Sequence, residues 1–523
     1  MNIISRYFFH VPRLYALGIA FLCSVLLILT IRDSGVTWDE TGNFEGARSY
    51  FTWLLAPSIH TIETYWKIES EHPPLQKIIG GLTWHLFHNK LNWLEGLSAY
   101  RLSLVFYLFP LIYGLFRFST RLYNIPIAAI VTISFFFMPR IFYHAHLGVF
   151  DFPVLSCMFL AAYGYWKSRT EKLWIFAAAV FLGLGFLTKI SVFFIYLPIT
   201  FLFFLDNRYC IYGIIRLKFS NSIIPLLKSV RSHWPIIVIP PLMFVIFWPW
   251  LWDAPLLKIW EYFQFHKGHF GLRTLFLGEY YNIAPWYYPF VMTFVTTPVP
   301  VILTGIIGLG ALFFHPEKKT HLYLVCCFLL PIFIVASPGV PKYDGVRLFL
   351  PSFPFLCMLS GTGIWWLCRI LKAPKLQKVF LAAYSSLFLI LLAPDLVSLH
   401  PHEIVYYNGF VTKDPKELAG RFELDYWGGG LKEAIPWIVE NKDKSYCVPL
   451  GDHLVDYYRE TGIIPDDISI GFYCNKRDYL VLLVRQGQMD EDLFYFFTQK
   501  TPVYTAEVNG LPLVNIYSLK KGR

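Results

Sequence analysis

Charged residues are scarce in this chain. Only 15% of its 523 residues are Asp, Glu, Lys or Arg, where a soluble enzyme carries about a quarter, and that shortage excludes an ordinary water-soluble protein. Cysteine is present without pattern: nine are scattered, with no CxxC pair and no His/Cys ligand spacing, which argues against a structural zinc site. Cys23, Cys157, Cys357 and Cys368 lie in or beside apolar runs and read as small packing residues. Cys447 and Cys474 fall in a polar region, where spacing alone leaves their pairing open. No internal repeat and no low-complexity tract is visible. The first apolar run, residues 15–31, follows Arg6 and Arg13 but has no small-residue cleavage site behind it, so it is expected to be a retained signal anchor.

What is abundant is apolar: 56% of residues are hydrophobic and 19% aromatic. The apolar runs approach 20 residues each, long enough to cross about 30 Å of hydrocarbon. Candidate spans are 15–31, 102–116, 125–138, 149–166, 174–187, 191–205, 235–252, 288–314, 322–337, 348–367 and 379–394, about eleven in all. After residue 394 the pattern turns polar. Short stretches such as Tyr479-Leu-Val-Leu-Leu-Val and Leu513-Val-Asn-Ile-Tyr, with an amphipathic segment at residues 432–439, read as strands and a helix. The expected fold is therefore an α-helical polytopic membrane protein with a small C-terminal α/β extracytoplasmic domain. Residues 1–394 form the first, including an outer loop, 32–101, with juxtamembrane helices, and residues 395–523 form the second.

The formal charge of +10 is confined largely to short loops, as topology determinants are, which excludes nucleic acid as the partner it serves. Arg117 and Arg121; Lys167, Arg169 and Lys172; Arg208, Arg216, Lys218, Lys228 and Arg231; Lys318 and Lys319; and Arg369, Lys372, Lys375 and Lys378 all fall on one side. That side is expected to be cytoplasmic, with the N-terminus. The alternate connections, 32–100, 139–148, 253–287 and 338–347, are long, acidic, aromatic or histidine-bearing, and face outward.

Ionisable residues beside hydrocarbon are costly, so those retained at the outer span ends are functional candidates. Asp39 and Glu40 follow the first span, in "VTWDETGNFE"; Glu71 and His72 precede two prolines; Arg140, His144, His146 and Asp151 lie in "PRIFYHAHLGVFDFP"; Lys189 closes "GLGFLTK"; Tyr343 and Arg347 stand in "YDGVRLFLP". Each also has a bland reading, Asp39 as a helix cap and Lys189 as a snorkelling cation. Their convergence on one side suits a transferase that takes a sugar from a lipid phosphate. A carboxylate, Asp39, would deprotonate the acceptor hydroxyl, and Lys189, Arg140, His72 and Arg347 would stabilise the departing phosphate. His144 and His146 are candidates for hydrogen bonds to an anionic ligand; no local third ligand accompanies them, so no metal is assigned, and dependence on a divalent metal stays open. Trp427 in "DYWGGG" is either buried against the small domain or stacked on the acceptor. "PWYYP" at residues 285–289 reads as an interfacial aromatic belt rather than a sugar platform.

"WDE", "EHPPL", "PRIFYHAHLGVFDFP", "GLGFLTK", "PWYYPFVMTFVTTPVP", "YDGVRLFLPSFPF" and "HPHEIVYYNGF…FELDYWGGGLKEA" occur in that order between residues 36 and 433. In this the chain resembles the GT-C glycosyltransferases, and within them the family 39-type group that includes protein O-mannosyltransferases and lipid A aminoarabinose transferases. The resemblance implies a polyprenyl-phosphate sugar donor as co-substrate, an outward-facing site in a membrane such as the bacterial inner membrane, and an essential acid at Asp39, with Glu40 adjacent and Asp151 as the second acidic position. Glu71-His72 departs from the Glu-Lys pair typical of the aminoarabinose transferases. No cofactor beyond the donor is implied, and the acceptor would be a lipid, a glycan or a protein. The competing function is a transporter or flippase of a lipid-linked or anionic substrate, which would place its charges near the bilayer midplane on broken helices, often in repeated halves.

Overall fold

The computed structural model describes residues 3–216, 219–268, 271–314 and 316–520; Lys218 lies outside them. Helix occupies each of the expected spans. Seven described helices are long and apolar enough to cross a membrane: Val11–Thr30, Gly96–Leu122, Ile190–Tyr212, Ile223–Ile246, Lys318–Ala336, Arg347–Leu371 and Pro374–Leu399. Ile125–Phe136, Trp174–Phe186 and Val299–Gly310 are apolar but shorter. The helix Asp151–Ser168 is buried along its whole face from Asp151 to Tyr165 and forms the centre of the bundle. Pro374–Leu399, by contrast, exposes Leu387, Leu389, Ile390 and Leu391, as a lipid-facing helix does. The chain is an integral membrane protein.

Two expected spans differ in the structure, and proline accounts for both. Residues 288–314 are two helices, Tyr288–Thr296 and Val299–Gly310, because Pro298 cannot donate to the helical ladder and forces Thr297 into the extended region at φ −93°. The carbonyls freed by the break are taken up by Asn408, whose Nδ2 donates to Phe294 O at 2.6 Å and Thr297 O at 2.7 Å. Residues 235–252 form α-helix only as far as Ile246, and Trp248, before Pro249, is non-helical at φ −122° and ψ 85°, with a single 3₁₀ turn at Pro249–Leu251 after it. Trp248 and Trp250 leave the bundle to pack with Tyr50, Trp53, Trp66 and Tyr262 in a separate aromatic core. That core fixes the loop of residues 32–101, whose helices include Trp38–Leu55 and Leu75–Trp84, against the segment after residue 246.

A short hairpin of β1 (Thr274–Phe276) and β2 (Glu279–Tyr281) lies between the bundle and the second domain. The second domain holds a five-stranded mixed sheet of β3 (Ser445–Cys447), β4 (Ser469–Gly471), β5 (Tyr479–Leu483), β6 (Tyr504–Val508) and β7 (Leu511–Ser518). Its order is β4-β3-β5-β7-β6, with β3 parallel to both β4 and β5 and the β5-β7-β6 side antiparallel. β5 is central and buried from Leu480 to Leu483, which is why its sequence is a continuous apolar run rather than an alternation. Leu431–Glu440 is the expected amphipathic helix. Cys447 and Cys474 are disulfide-bonded.

Candidate functional site

One end of the central helices meets the second domain around one guanidinium. Arg347 Nη2 donates to Asp39 Oδ2 at 2.5 Å, its Nε lies 3.1 Å from Asp151 Oδ2, and its Nη1 donates to Asp344 Oδ2 at 2.9 Å. Lys189 Nζ donates to Asp151 Oδ1 at 2.8 Å, and Arg485 Nη2 to Asp344 Oδ1 at 3.1 Å. Three carboxylates thus face three cations in a continuous chain, drawn from five stretches of sequence, with Asp344 and Arg347 sharing one. Its members differ in access: Asp39 is 34% exposed, whereas Asp151 and Asp344 are 1% and 3% exposed. The buried pair can only hold cations in place, while Asp39 can reach a solvent-borne proton.

Tryptophans bound the cluster on two sides. Trp427 lies under the Arg347 guanidinium at 4.5 Å and Trp38 under that of Arg485 at 5.3 Å. "DYWGGG" is the turn that delivers Trp427: the buried Asp425 carboxylate accepts from Gly428 N at 3.1 Å and Gly430 N at 2.7 Å, and Trp38 N donates to Trp427 O at 3.2 Å. Gly428 has φ +74°, and a Cβ there would meet the Trp38 ring at 3.0 Å. A second left-handed turn, Asp344 and Gly345 at φ 53° and 62°, aims Asp344 back at Arg347 three residues on. Tyr343, within electrostatic reach of Arg347, Asp39 and Asp151, is pushed up to about 12 by burial.

Two histidines face this cluster. His144 is fully buried, edge-on to Trp427 at 6.2 Å, and neither ring nitrogen has a hydrogen-bond partner. Burial pulls it down to about 3, so it is neutral. Such unpaired buried groups are rare and expected where a ligand completes them. His72 packs against Phe150 with ring centroids 4.1 Å apart and the rings tilted by 40°, and lies 5.6 Å from His266; burial, with Lys189 and Lys77 near it, holds it well below the usual histidine range. Among the described residues no three of His, Cys, Asp and Glu converge to hold a metal ion.

The remaining sequence candidates lie elsewhere. Glu40 points into the core: its carboxylate accepts from Arg101 Nε at 2.7 Å and Nη2 at 2.6 Å, from Gly148 N at 2.7 Å and from Thr37 N at 3.1 Å, closing a capping box. Consecutive helical residues diverge by about 100°, so the doublet is divided, Asp39 to the cluster and Glu40 to the scaffold. Arg140 makes no ion pair with the three aspartates. It donates to Tyr406 O at 3.2 Å and Tyr426 OH at 3.0 Å and lies over the Tyr407 ring at 4.7 Å, supporting the Gly345 turn from behind. His146 is a structural link: Phe142 O can only accept, which puts the proton on Nδ1 at 2.7 Å and leaves Nε2 to accept from Thr30 Oγ1 at 2.7 Å. Glu71 is exposed at the rim.

Three residues of the site are absent from the sequence candidates. Asp344 had a visible cue, its spacing of three from Arg347. Lys77, two residues into the helix after "HPPL", is buried, donates to the carbonyls of Glu69 and His72, and is pulled down to about 8 by burial. Arg485 lies just beyond β5 with no local pattern to mark it.

Comparison with protein-family models and with curated proteins gives no match. Among solved structures, ArnT from Cupriavidus metallidurans in the apo state aligns with a TM-score of 0.50 at 12% identity, over 96% of this chain and 97% of that one. The same protein bound to undecaprenyl phosphate gives 0.47 at 14% identity over 98% and 99%. The Archaeoglobus fulgidus oligosaccharyltransferase tethered with an acceptor peptide gives 0.45 at 12% identity over 90% and 68%. At these identities the likeness to apo ArnT is one of fold, and the expected layout, a helical membrane domain followed by a small C-terminal sheet domain, is the one this chain has.

Proposed function

We propose that this chain is a membrane glycosyltransferase that moves a sugar from a polyprenyl-phosphate donor to an acceptor hydroxyl of a lipid, glycan or protein on the extracytoplasmic face of a bacterial inner membrane. The observation that carries the reading is the balanced chain of charges at the outer rim of the bundle, in which Asp39 alone among the three aspartates is open to solvent. In the free protein Arg347 is held by carboxylates. Arrival of the donor phosphate gives Arg347 and Lys189 a new partner and releases Asp39 as a base.

The acceptor O–H then gives its proton to Asp39, and its oxygen attacks the anomeric carbon on the face opposite the phosphate. The bond from that carbon to the phosphate oxygen breaks, the electron pair leaves on the phosphate, and configuration inverts. Arg347 and Lys189, preorganised by Asp151 and Asp344, stabilise the departing charge. Neutral His144, with both nitrogens open, hydrogen-bonds to the sugar, while Trp427, buried beneath the Arg347 guanidinium, holds that cation in place. Two features support the outward orientation. The cluster's end of the bundle carries the disulfide-bonded domain, and disulfides persist in oxidising compartments; the basic loops occupy the other end.

The test is release of free polyprenyl phosphate from a polyprenyl-phosphate sugar by the purified chain, paired with mass spectrometry of glycolipids and glycoproteins from cells with and without it. Asp39→Asn is expected to insert and fold normally while turnover falls by roughly 10²–10⁴. Full turnover in that variant would sink the mechanism.

A further inference from the structure

At the end of the bundle opposite the carboxylates lies a cavity of about 1010 Å³. The central helix Asp151–Ser168 connects the two regions: Asp151 belongs to the cluster, and Lys167, 16 residues on and so about 24 Å away, lines the cavity. Five cations line it, Arg121, Lys167, Arg169, Lys172 and Lys228, against three acids, Glu171, Asp206 and Glu317. The acids are already engaged in part. Arg169 is bidentate on Asp206 at 2.8 and 3.1 Å, Lys319 also reaches Asp206 at 3.0 Å, and Lys167 lies 3.4 Å from Glu171. Lys172 and Lys228 are exposed at the mouth, and among the described residues neither has a carboxylate partner.

The outer wall of the same cavity is apolar and open. Leu173 is 81% exposed, and Phe176 and Trp234 meet edge to face at 5.8 Å while remaining largely uncovered. Trp166 and Trp234 stand at the level where the helices end, as interfacial tryptophans do. Unpaired ammonium groups above, apolar surface facing the bilayer beside them, and a volume many times that of a phosphate ion together specify an amphiphile with an anionic head.

We propose that this cavity is a second binding site, for the phosphate-bearing headgroup of an anionic membrane lipid, with Lys172 and Lys228 contacting the phosphate and Leu173, Phe176 and Trp234 flanking the first methylenes of its chains. The site is remote from Asp39, so it stands or falls independently of the transferase reading.

The experiment uses the full chain in detergent and reads lipid retention by native mass spectrometry, with phosphatidylglycerol and phosphatidylcholine as probes and inorganic phosphate as competitor. The wild type is expected to retain phosphatidylglycerol in preference to phosphatidylcholine. The double variant Lys172→Gln, Lys228→Gln is expected to bind phosphatidylglycerol about thirtyfold more weakly, the product of two surface charges acting on an anionic lipid, and Lys172→Arg, Lys228→Arg to restore it. Equal retention by wild type and double variant, or equal retention of the two lipids, overturns the proposal. Displacement of phosphatidylglycerol by inorganic phosphate with comparable affinity overturns the assignment to a lipid and indicates a soluble phosphate ligand instead. The two lysines are exposed, so unchanged thermal unfolding of the variants accompanies either result.

Discussion

Asp39 and Glu40 are neighbours with different work. The cost of the second is large because its pair with Arg101 is fully buried, 0% and 1% exposed. Removing one partner of such a pair leaves an uncompensated charge, worth about 3–5 kcal/mol. Glu40→Ala is therefore expected to lower the thermal unfolding temperature sharply in detergent and to abolish activity through misfolding, unlike Asp39→Asn. The double variant Glu40→Met, Arg101→Met should recover most of the stability, because no charge is then left unpaired; failure to recover would show that the backbone hydrogen bonds of the two side chains, to Thr37 N, Gly148 N and the carbonyls of Ser34 and Gly35, carry the cost rather than the charge. At this scale the sequence was informative where chemistry forces residues to span ends: Asp39, Asp151 and Lys189 were legible because ionisable groups are costly there. It could not separate Asp39 from Glu40, since the distinction is one of helical phase, nor place Arg140 and His146, whose partners at Tyr406, Tyr426 and Thr30 are set by packing.

The helices of the bundle were mostly readable from apolar runs, and the exceptions share a cause. Hydropathy sees composition and passes over the backbone donor that proline lacks, so residues 288–314 read as one span although Pro298 divides them. The break is tolerated in a membrane only because the freed carbonyls find a partner, and Asn408, more than a hundred residues away, supplies it. Asn408→Ala should leave the Phe294 and Thr297 carbonyls without that donor at a cost of about 1–3 kcal/mol, read as a lower unfolding temperature with insertion unchanged. An unaltered unfolding temperature would mean that the kink is held by other contacts. A single sequence cannot reveal this dependence, because the partners of Asn408 in "YYNGF" are backbone carbonyls that only packing brings to it.

The two domains are joined at the same place where the site is built. His400, after the last span, bridges Asp33 at 2.9 Å and Glu403 at 2.6 Å, and its hydrogen bond to Glu403, against the opposing effect of partial burial, with a further bond to Asp33, raises it to about 9. A histidine raised on folding contributes stability that is fully present below its unfolded value, near 6.5, and is lost as pH rises through about 9. Wild type should therefore unfold at a higher temperature than His400→Gln at pH 6, with the gap closing by pH 10; a constant gap would contradict a charged clamp. The same junction lends the site a cation. Arg485 comes from the sheet domain, yet it neutralises Asp344 and lies over Trp38, the residue before Asp39. Without it Asp344 has only Arg347 to pair with, which draws that guanidinium away from the position where it meets Asp39 and Asp151 and where the proposed transfer needs it. Arg485→Met retains an apolar stem against Trp38 while removing the charge, so turnover is expected to fall at least about tenfold, 1.4 kcal/mol in the barrier, with folding and disulfide formation intact. Arg485→Lys should restore part of it, because a point charge can pair with Asp344 but cannot lie flat on the indole. Turnover unchanged in Arg485→Met would show that the sheet domain merely covers the site, whereas loss rescued by lysine makes the second domain a contributor to the electrostatics of transfer.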